Sequence, residues 1–379
     1  MRQRVAFSIL LISLLLSACA PSAPAAGTRT PAPPSAVPTD ATDDSQRVEP
    51  IPVHVGYGGK GSFFEIYFTD PANPASKQQT GGIEQALIAS IDAARLSVDV
   101  AIYSFSLREV GNALLRARDR GVTVRVVMES DNRERSLPQA LIEAGLPILG
   151  DRREGLMHDK FVVIDRSEVW TGSLNFTPSG VYEDNNNLAH IRSVKIAENY
   201  LAEFNEMYED DLFGPDTRAA TPNPVVTVDG TRVETYFSPD DGVAARVLEL
   251  LQGARKSVHF LAYSFTADDL AEVLRAKHSE GLTIKGVMDG SQIASNKGTE
   301  FDPFRQAGID VRKNGNKGLM HHKVIIIDRS IVITGSYNFT GSAEDRNDEN
   351  LLIIFSPDIA KLYLDEFNRV FKAAQPASK

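Results

Sequence analysis

The feature that most constrains this chain is that most of it is written twice. Glu65-Ile66-Tyr67-Phe68 returns as Glu234-Thr235-Tyr236-Phe237, Ile102-Tyr103-Ser104-Phe105 as Ala262-Tyr263-Ser264-Phe265, and Gly155-Leu156-Met157-His158 as Gly318-Leu319-Met320-His321. Near the end of each copy, Ala197, Tyr200, Phe204 and Asn205 match Ala360, Tyr363, Phe367 and Asn368. A repeat of this kind is one structural unit built twice. The expected units are residues 51–213 and 228–379, joined by the turn-rich stretch 214–227, whose Pro-rich part has no apolar periodicity. In each copy, apolar β-branched runs (97–103, 122–128 and 160–164; 258–263, 282–288 and 324–327) alternate with segments of helical period (110–118; 270–277). Strands that are apolar throughout and separated by helices indicate sheets covered on both faces. The expected fold class is therefore α/β: two tandem α/β sandwich repeats with mixed, mostly parallel sheets flanked by helices. They should pack about a pseudo-twofold axis, making a monomer that is internally a dimer.

The strongest signal inside the repeat is a six-residue pattern at identical spacing. It reads His158, Lys160, Asp165, Gly172, Ser173, Asn175 in the first copy and His321, Lys323, Asp328, Gly335, Ser336, Asn338 in the second. On a strand, residues two apart share a face, so each His and Lys should point the same way. Two such faces meeting across the axis give a pocket with two imidazoles and two ammonium groups, suited to a phosphodiester anion. Ser173, Asn175, Ser336 and Asn338 can bind the phosphate by donating hydrogen bonds to its oxygens. Asp165 and Asp328 precede Arg-Ser at hairpin turns, where a carboxylate most naturally accepts local hydrogen bonds, so a structural role is favoured for both. Two histidines allow a two-step displacement without metal or other cofactor. His322 adjoins His321 on the opposite face, and His54, His190, His259 and His278 have no counterpart in the other copy. Trp170 reads as core, whereas Tyr103 and Tyr263 could equally line the cleft or pack.

These residues resemble the HKD motif of the phospholipase D superfamily, over essentially residues 51–371. The resemblance implies a phosphohistidine mechanism with His158 as nucleophile and His321 as general acid and base. It also implies an acidic residue that orients a catalytic imidazole. A gap-free alignment from the motif places Glu349 in that role and Asn186 opposite it, so the two histidines should not be equivalent.

The N-terminus bears on substrate. Arg2 and Arg4 precede an apolar run, Val5 to Leu16, that is too short to span a bilayer comfortably, the pattern of a signal peptide over residues 1–18. Leu16-Ser17-Ala18-Cys19 contains the chain's one cysteine and resembles the lipobox of bacterial lipoproteins, which makes Cys19 the expected lipidation site. Residues 19–50, rich in Pro, Ala, Ser and Thr, read as a disordered tether. The expected product is an exported lipoprotein anchored on the outer face of a bacterial membrane. Without Arg2 and Arg4, the 40 basic residues fall to 38 against 50 acidic ones, so bulk charge offers no attraction to nucleic acid. The leading expectation is hydrolysis of phospholipid head groups at a membrane surface. The alternative is a nonspecific endonuclease of the same superfamily acting on nucleic acid. Transfer between lipids, as in cardiolipin synthases, fits less well, because those resemble longer chains with transmembrane helices.

Overall fold

The computed structural model describes residues 48–375. The signal segment, Cys19 and all but the end of the tether lie outside them. The first half contributes strands β1 (Glu49–Ile51), β2 (Tyr57–Lys60), β3 (Phe64–Phe68), β4 (Ser97–Ile102), β5 (Thr123–Met128), β6 (Ile148–Gly150), β7 (Lys160–Ile164), β8 (Glu168–Gly172) and β9 (Asn187–Arg192). The second contributes β10 (Val225–Val228), β11 (Thr231–Ser238), β12 (Ser257–Ala262), β13 (Thr283–Met288), β14 (Asp310–Lys313), β15 (Lys323–Ile327), β16 (Ile331–Gly335) and β17 (Glu349–Phe355). Each half forms its own sheet, in the orders β1-β2-β3-β9-β8-β7-β4-β5-β6 and β10-β11-β17-β16-β15-β12-β13-β14. The second order repeats the first apart from the extra edge strand β1, so the sequence duplication is a duplication of topology.

The sheets are mixed but mostly antiparallel, which corrects the expectation of mostly parallel ones. Only β4–β5–β6 and β12–β13–β14 run parallel, each link carrying a crossover helix or helical stretch. The remaining neighbours are antiparallel, including the tight β7–β8 and β15–β16 hairpins. Wholly apolar strands report that both faces are covered, and here an antiparallel arrangement is covered as fully as a parallel one. Two boundaries also move. Glu49 and Pro50 pair with β2 instead of ending a tether, and Val225 to Thr227 pair within β10–β11 instead of belonging to the joint.

The covering comes from helices and from the other half. Helix Val194–Tyr208 lies across β4, β5, β7 and β8 and reaches β11; helix Pro357–Ala373 lies across β12, β13, β15 and β16 and reaches β3. Each long C-terminal helix of a half therefore packs on its own sheet and touches the other. Strand β15 shows the consequence at single-residue resolution. Val324 and Ile326 belong to a core continuous with the first half, while Ile325 and Ile327 point into a separate core beneath helices Val243–Gly253 and Asp268–Ser279. The two expected domains thus share one interior and form one compact unit.

Backbone contacts seal the seam in matched pairs. Asp348 N donates to Leu156 O at 2.9 Å and His158 N to Asp348 O at 3.0 Å; Asn185 N donates to Leu319 O at 2.8 Å and His321 N to Asn185 O at 3.0 Å. Gly155 and Gly318 permit this approach, because a Cβ there would lie 2.1 Å from Arg346 O and 2.0 Å from Glu183 O respectively. Gly318→Ala should cost at least about 2 kcal/mol in denaturant unfolding, since backbone cannot be displaced cheaply. Gly253→Ala, at a glycine with nothing within 4 Å, should change stability by less than about 0.5 kcal/mol.

Candidate active site

Both motif histidines sit two residues ahead of a strand and not on it, because β7 and β15 begin at Lys160 and Lys323. That lead-in is the segment that pairs with the opposite half, so each histidine is carried by one half and pinned by the other. The loops before them are held by carboxylates at the ends of the matched strands β5 and β13: Glu129 Oε2 accepts from Met157 N at 3.1 Å, and Asp289 Oδ2 from Met320 N at 2.9 Å. The sequence reading missed this pair, although Met128-Glu129 and Met288-Asp289 repeat in register.

Four basic side chains meet at the seam. Lys160 Nζ donates to His158 O at 2.6 Å and lies 5.1 Å from the Tyr103 ring centre. Lys323 Nζ donates to His321 O at 2.9 Å and lies 4.7 Å from the Tyr263 ring centre. Those two rings meet the imidazoles edge-on, with centroids 4.9 and 4.6 Å apart, so both tyrosines line the cleft. Only 6% of either histidine is exposed.

Burial weakens every positive charge here, and repulsion by neighbouring cations adds to it for His158, His321 and Lys323. Burial, then the ammonium groups of Lys160 and Lys323, hold His158 well below the ordinary imidazole range. His321 is held down by burial, by both lysines and by His158. Burial brings Lys160 down to about 7 against the opposing pull of Glu349 and Asp159, and Lys323 falls well below its usual range through burial and Lys160. A site whose cations are suppressed in this way is complementary to an incoming anion, which restores their charge as it binds.

The copies differ where the alignment places Asn186 opposite Glu349. His158 Nδ1 lies 2.7 Å from Glu349 Oε2, on the opposite half. His321 Nδ1 lies 2.9 Å from Asn186 Oδ1 and 3.1 Å from Ser173 O. Both Nδ1 atoms face only acceptors, so each neutral ring carries its proton there and keeps the Nε2 lone pair free. Only His158 has a carboxylate behind it. Burial pushes Glu349 up to about 7, while Lys160, the Ser336 hydroxyl, Lys323 and Asn347 pull it down.

The four expected phosphate-binding residues separate into two kinds. Ser173 and Ser336 are fully buried, which corrects their assignment: Ser173 Oγ donates to Asn186 Oδ1 at 2.8 Å and Ser336 Oγ accepts from Asn350 N at 2.9 Å, so both hold the strand residues behind the histidines. Asn175 and Asn338 stay only half-buried just past β8 and β16, and it is their amide Nδ2 groups that would donate to a phosphate. Asp165 and Asp328 lie away from the cleft in hairpin turns with two successive left-handed residues (φ 51° and 56°; 51° and 60°). Asp165 accepts from the backbone N–H groups of Arg95, Leu96 and Ser97 at 2.7–3.1 Å, and Asp328 from those of Arg255, Lys256 and Ser257 at 2.6–2.9 Å. Trp170 is buried and stacked on His190 at 4.2 Å, remote from this chemistry. Among the described residues, no group of three or more His, Cys, Asp or Glu side chains is arranged to hold a metal ion.

A pseudo-twofold α/β fold with one His-Lys pair from each half, converging on one buried cationic site, defines a class of phosphate-handling proteins. The chain belongs to the phospholipase D-like family: residues 87–208 and 247–371 match the family described as "Cardiolipin synthase, PLD-like domain". It is 30% identical over 166 residues to phospholipase D of Rickettsia bellii (strain RML369-C), covering 42% of this chain and 82% of that protein. It is 36% identical over 138 residues to mitochondrial cardiolipin hydrolase of Xenopus tropicalis, covering 36% of this chain and 65% of that protein. The crystal structure of phosphatidylserine synthase from Haemophilus influenzae Rd KW20 superposes with a TM-score of 0.62 at 14% identity, covering 82% of this chain and 87% of that one, and so shares the fold.

Asp328 gives a test of its turn role. Burial raises its carboxyl, but the three N–H groups and Lys256 hold it below the usual range. The stabilisation is therefore present above the unfolded value of about 3.9 and disappears as pH falls through the folded one. Asp328→Asn should cost about 1–2 kcal/mol at pH 7, allowing for the solvent exposure of the turn, and the deficit should shrink below about pH 4. Denaturant midpoints across that range measure it.

Proposed function

We propose that this protein is a phospholipase D-type phosphodiesterase that hydrolyses phospholipid head groups through a phosphohistidine. The observation that carries it is the unequal pair of imidazoles over a cleft flanked by two lysines. His158 Nε2 attacks phosphorus while Glu349 accepts the Nδ1 proton bond and offsets the cationic charge that forms on the ring. The bond from phosphorus to the head-group oxygen breaks as His321 donates a proton to that oxygen. Anion binding beside the lysines raises the proton affinity of His321, which loads it for this step. His321 then takes a proton from water, the resulting hydroxide attacks phosphorus, the P–N bond breaks and phosphatidic acid leaves. Lys160, Lys323, Asn175 and Asn338 bind the nonbridging oxygens. Nucleophile, acid and charge stabilisation all come from the chain, so chelators should not inhibit.

Three lines support lipid as substrate. The family contains proteins described as cardiolipin hydrolase and phospholipase D. The chain's formal charge is −10, which disfavours a polyanionic polymer. Leu156 and Leu319, at matched positions just before the histidines, are exposed and part-exposed apolar side chains beside the cleft. In this reading the enzyme acts as a monomer with an internal pseudo-dimer, held by lipidated Cys19 on the outer face of a bacterial membrane.

The test is incubation of the full chain, in chelator, with phosphatidylcholine vesicles and separately with single- and double-stranded DNA. Release of choline and phosphatidic acid is expected, and trapped phosphoenzyme should map to His158. DNA cleavage without lipid turnover would contradict the substrate assignment, and label on His321 would reverse the roles. Glu349→Gln should slow phosphoenzyme formation about 100-fold or more, because it keeps a hydrogen-bond acceptor and removes the charge.

A further inference from the structure

The residue between His and Lys in each motif copy points away from the cleft, and the copies differ there: Asp159 in the first, His322 in the second. Both are fully buried and both reach across the seam to an asparagine that follows the brace of a catalytic histidine. Asp159 Oδ1 accepts from Asn350 Nδ2 at 2.7 Å, and that carboxamide's Oδ1 accepts from Thr171 Oγ1 at 2.6 Å. Asn350 also donates to Ser336 Oγ, from its backbone N at 2.9 Å and from Nδ2 at 3.3 Å. Asn350 thus ties Asp159 to Ser336, and it stands directly beside Glu349, which holds His158. In the mirror position His322 Nδ1 meets Asn187 Oδ1 at 3.2 Å, so that amide is turned the other way, and Nε2 meets Glu366 Oε1 at 2.8 Å.

What lies behind each asparagine differs in charge. Behind His321, Glu366 is bonded by His322, Arg369 and Tyr57, a set in which charges balance. Behind His158, the sequence equivalents of Glu366 and Arg369 are Glu203 and Glu206. Asp159 Oδ2 and Glu203 Oε1 are buried without a partner. We propose that Asp159 is a positioning residue for the His158–Glu349 pair, acting through Asn350, the neighbour of Glu349 on β17, and that its carboxylate sets the charge state of that pair. The proposal rests on the phosphodiesterase reading above.

The groups facing Asp159 are Lys160, next to it in the chain, Glu349 on β17, Glu203 on the helix and Asp240 after β11. Asp348, just before β17, is another carboxyl that Asp159 pushes upward. Apart from Lys160 these are acids, and burial followed by their repulsion lifts Asp159 to about 7. An ionised Asp159 in turn makes the His158–Glu349 pair retain a proton to higher pH, and the three titrate as a unit.

The experiment is the pH profile of kcat/KM for bis(4-nitrophenyl) phosphate hydrolysis by the full chain and its Asp159→Asn variant. The substitution keeps an acceptor for Asn350 and removes the charge, so the acidic limb should move down by about half a pH unit or more. A uniform loss of rate with the limb unmoved would reduce Asp159 to a structural role and overturn the proposal. Should the variant fail to fold, Asp159→Ser asks the same question, because it too removes the charge: the limb should again move down, and an unmoved limb overturns the proposal. Absence of hydrolysis by the unmodified chain would instead overturn the phosphodiesterase reading on which the proposal rests.

Discussion

The structure depends on a reciprocal crossing at the seam, in which the segment carrying each motif histidine leaves its own sheet and bonds to the backbone of the other half. Asp348 receives His158 and Asn185 receives His321, at equivalent positions. Neither half contains a complete site. His158 takes its carboxylate from Glu349, and His321 takes its acceptor from Asn186. A shared interior and two long helices that each touch both sheets keep this crossing rigid. It has to be rigid, because two lysines and two imidazoles are buried side by side, and each pays in lost hydration unless fixed partners replace water.

Symmetry of backbone and asymmetry of charge do different work. The duplicated topology brings equivalent histidines together, as a dimer would. The substitutions at 186/349, 159/322 and 206/369 then make the surroundings unequal without disturbing the backbone. The His158 side carries Glu349 and a buried group of acids. The His321 side carries an amide, a carbonyl and a balanced His-Glu-Arg set. A two-step displacement needs one imidazole to become covalently cationic and the other to pass a proton in both directions. Two identical environments would serve those tasks less well than two different ones.

The repeat, the motif residues and the difference between Glu349 and Asn186 were all legible in the sequence, because duplication makes each copy a control for the other. The strand direction was not, since apolar patterning reports burial and not polarity of pairing. Nor was the burial of Ser173 and Ser336: a hydroxyl one residue past a strand can face a ligand or a neighbour, and only the crossing decides which. The same crossing explains why Glu349 serves the histidine of the opposite half, a long-range pairing that spacing within one copy does not encode. Asp159 escaped notice because alternation on a strand placed it on the far face, where the buried network lies.

The central claim, one asymmetric site assembled across the halves, is tested most directly by NMR of the imidazole Nδ1–H groups of His158 and His321. The account gives two distinct resonances, with that of His158 shifted downfield by its bond to a carboxylate and lost from that position in Glu349→Gln, while His321 is unchanged. Indistinguishable resonances, or a response at His321 in place of His158, would contradict it.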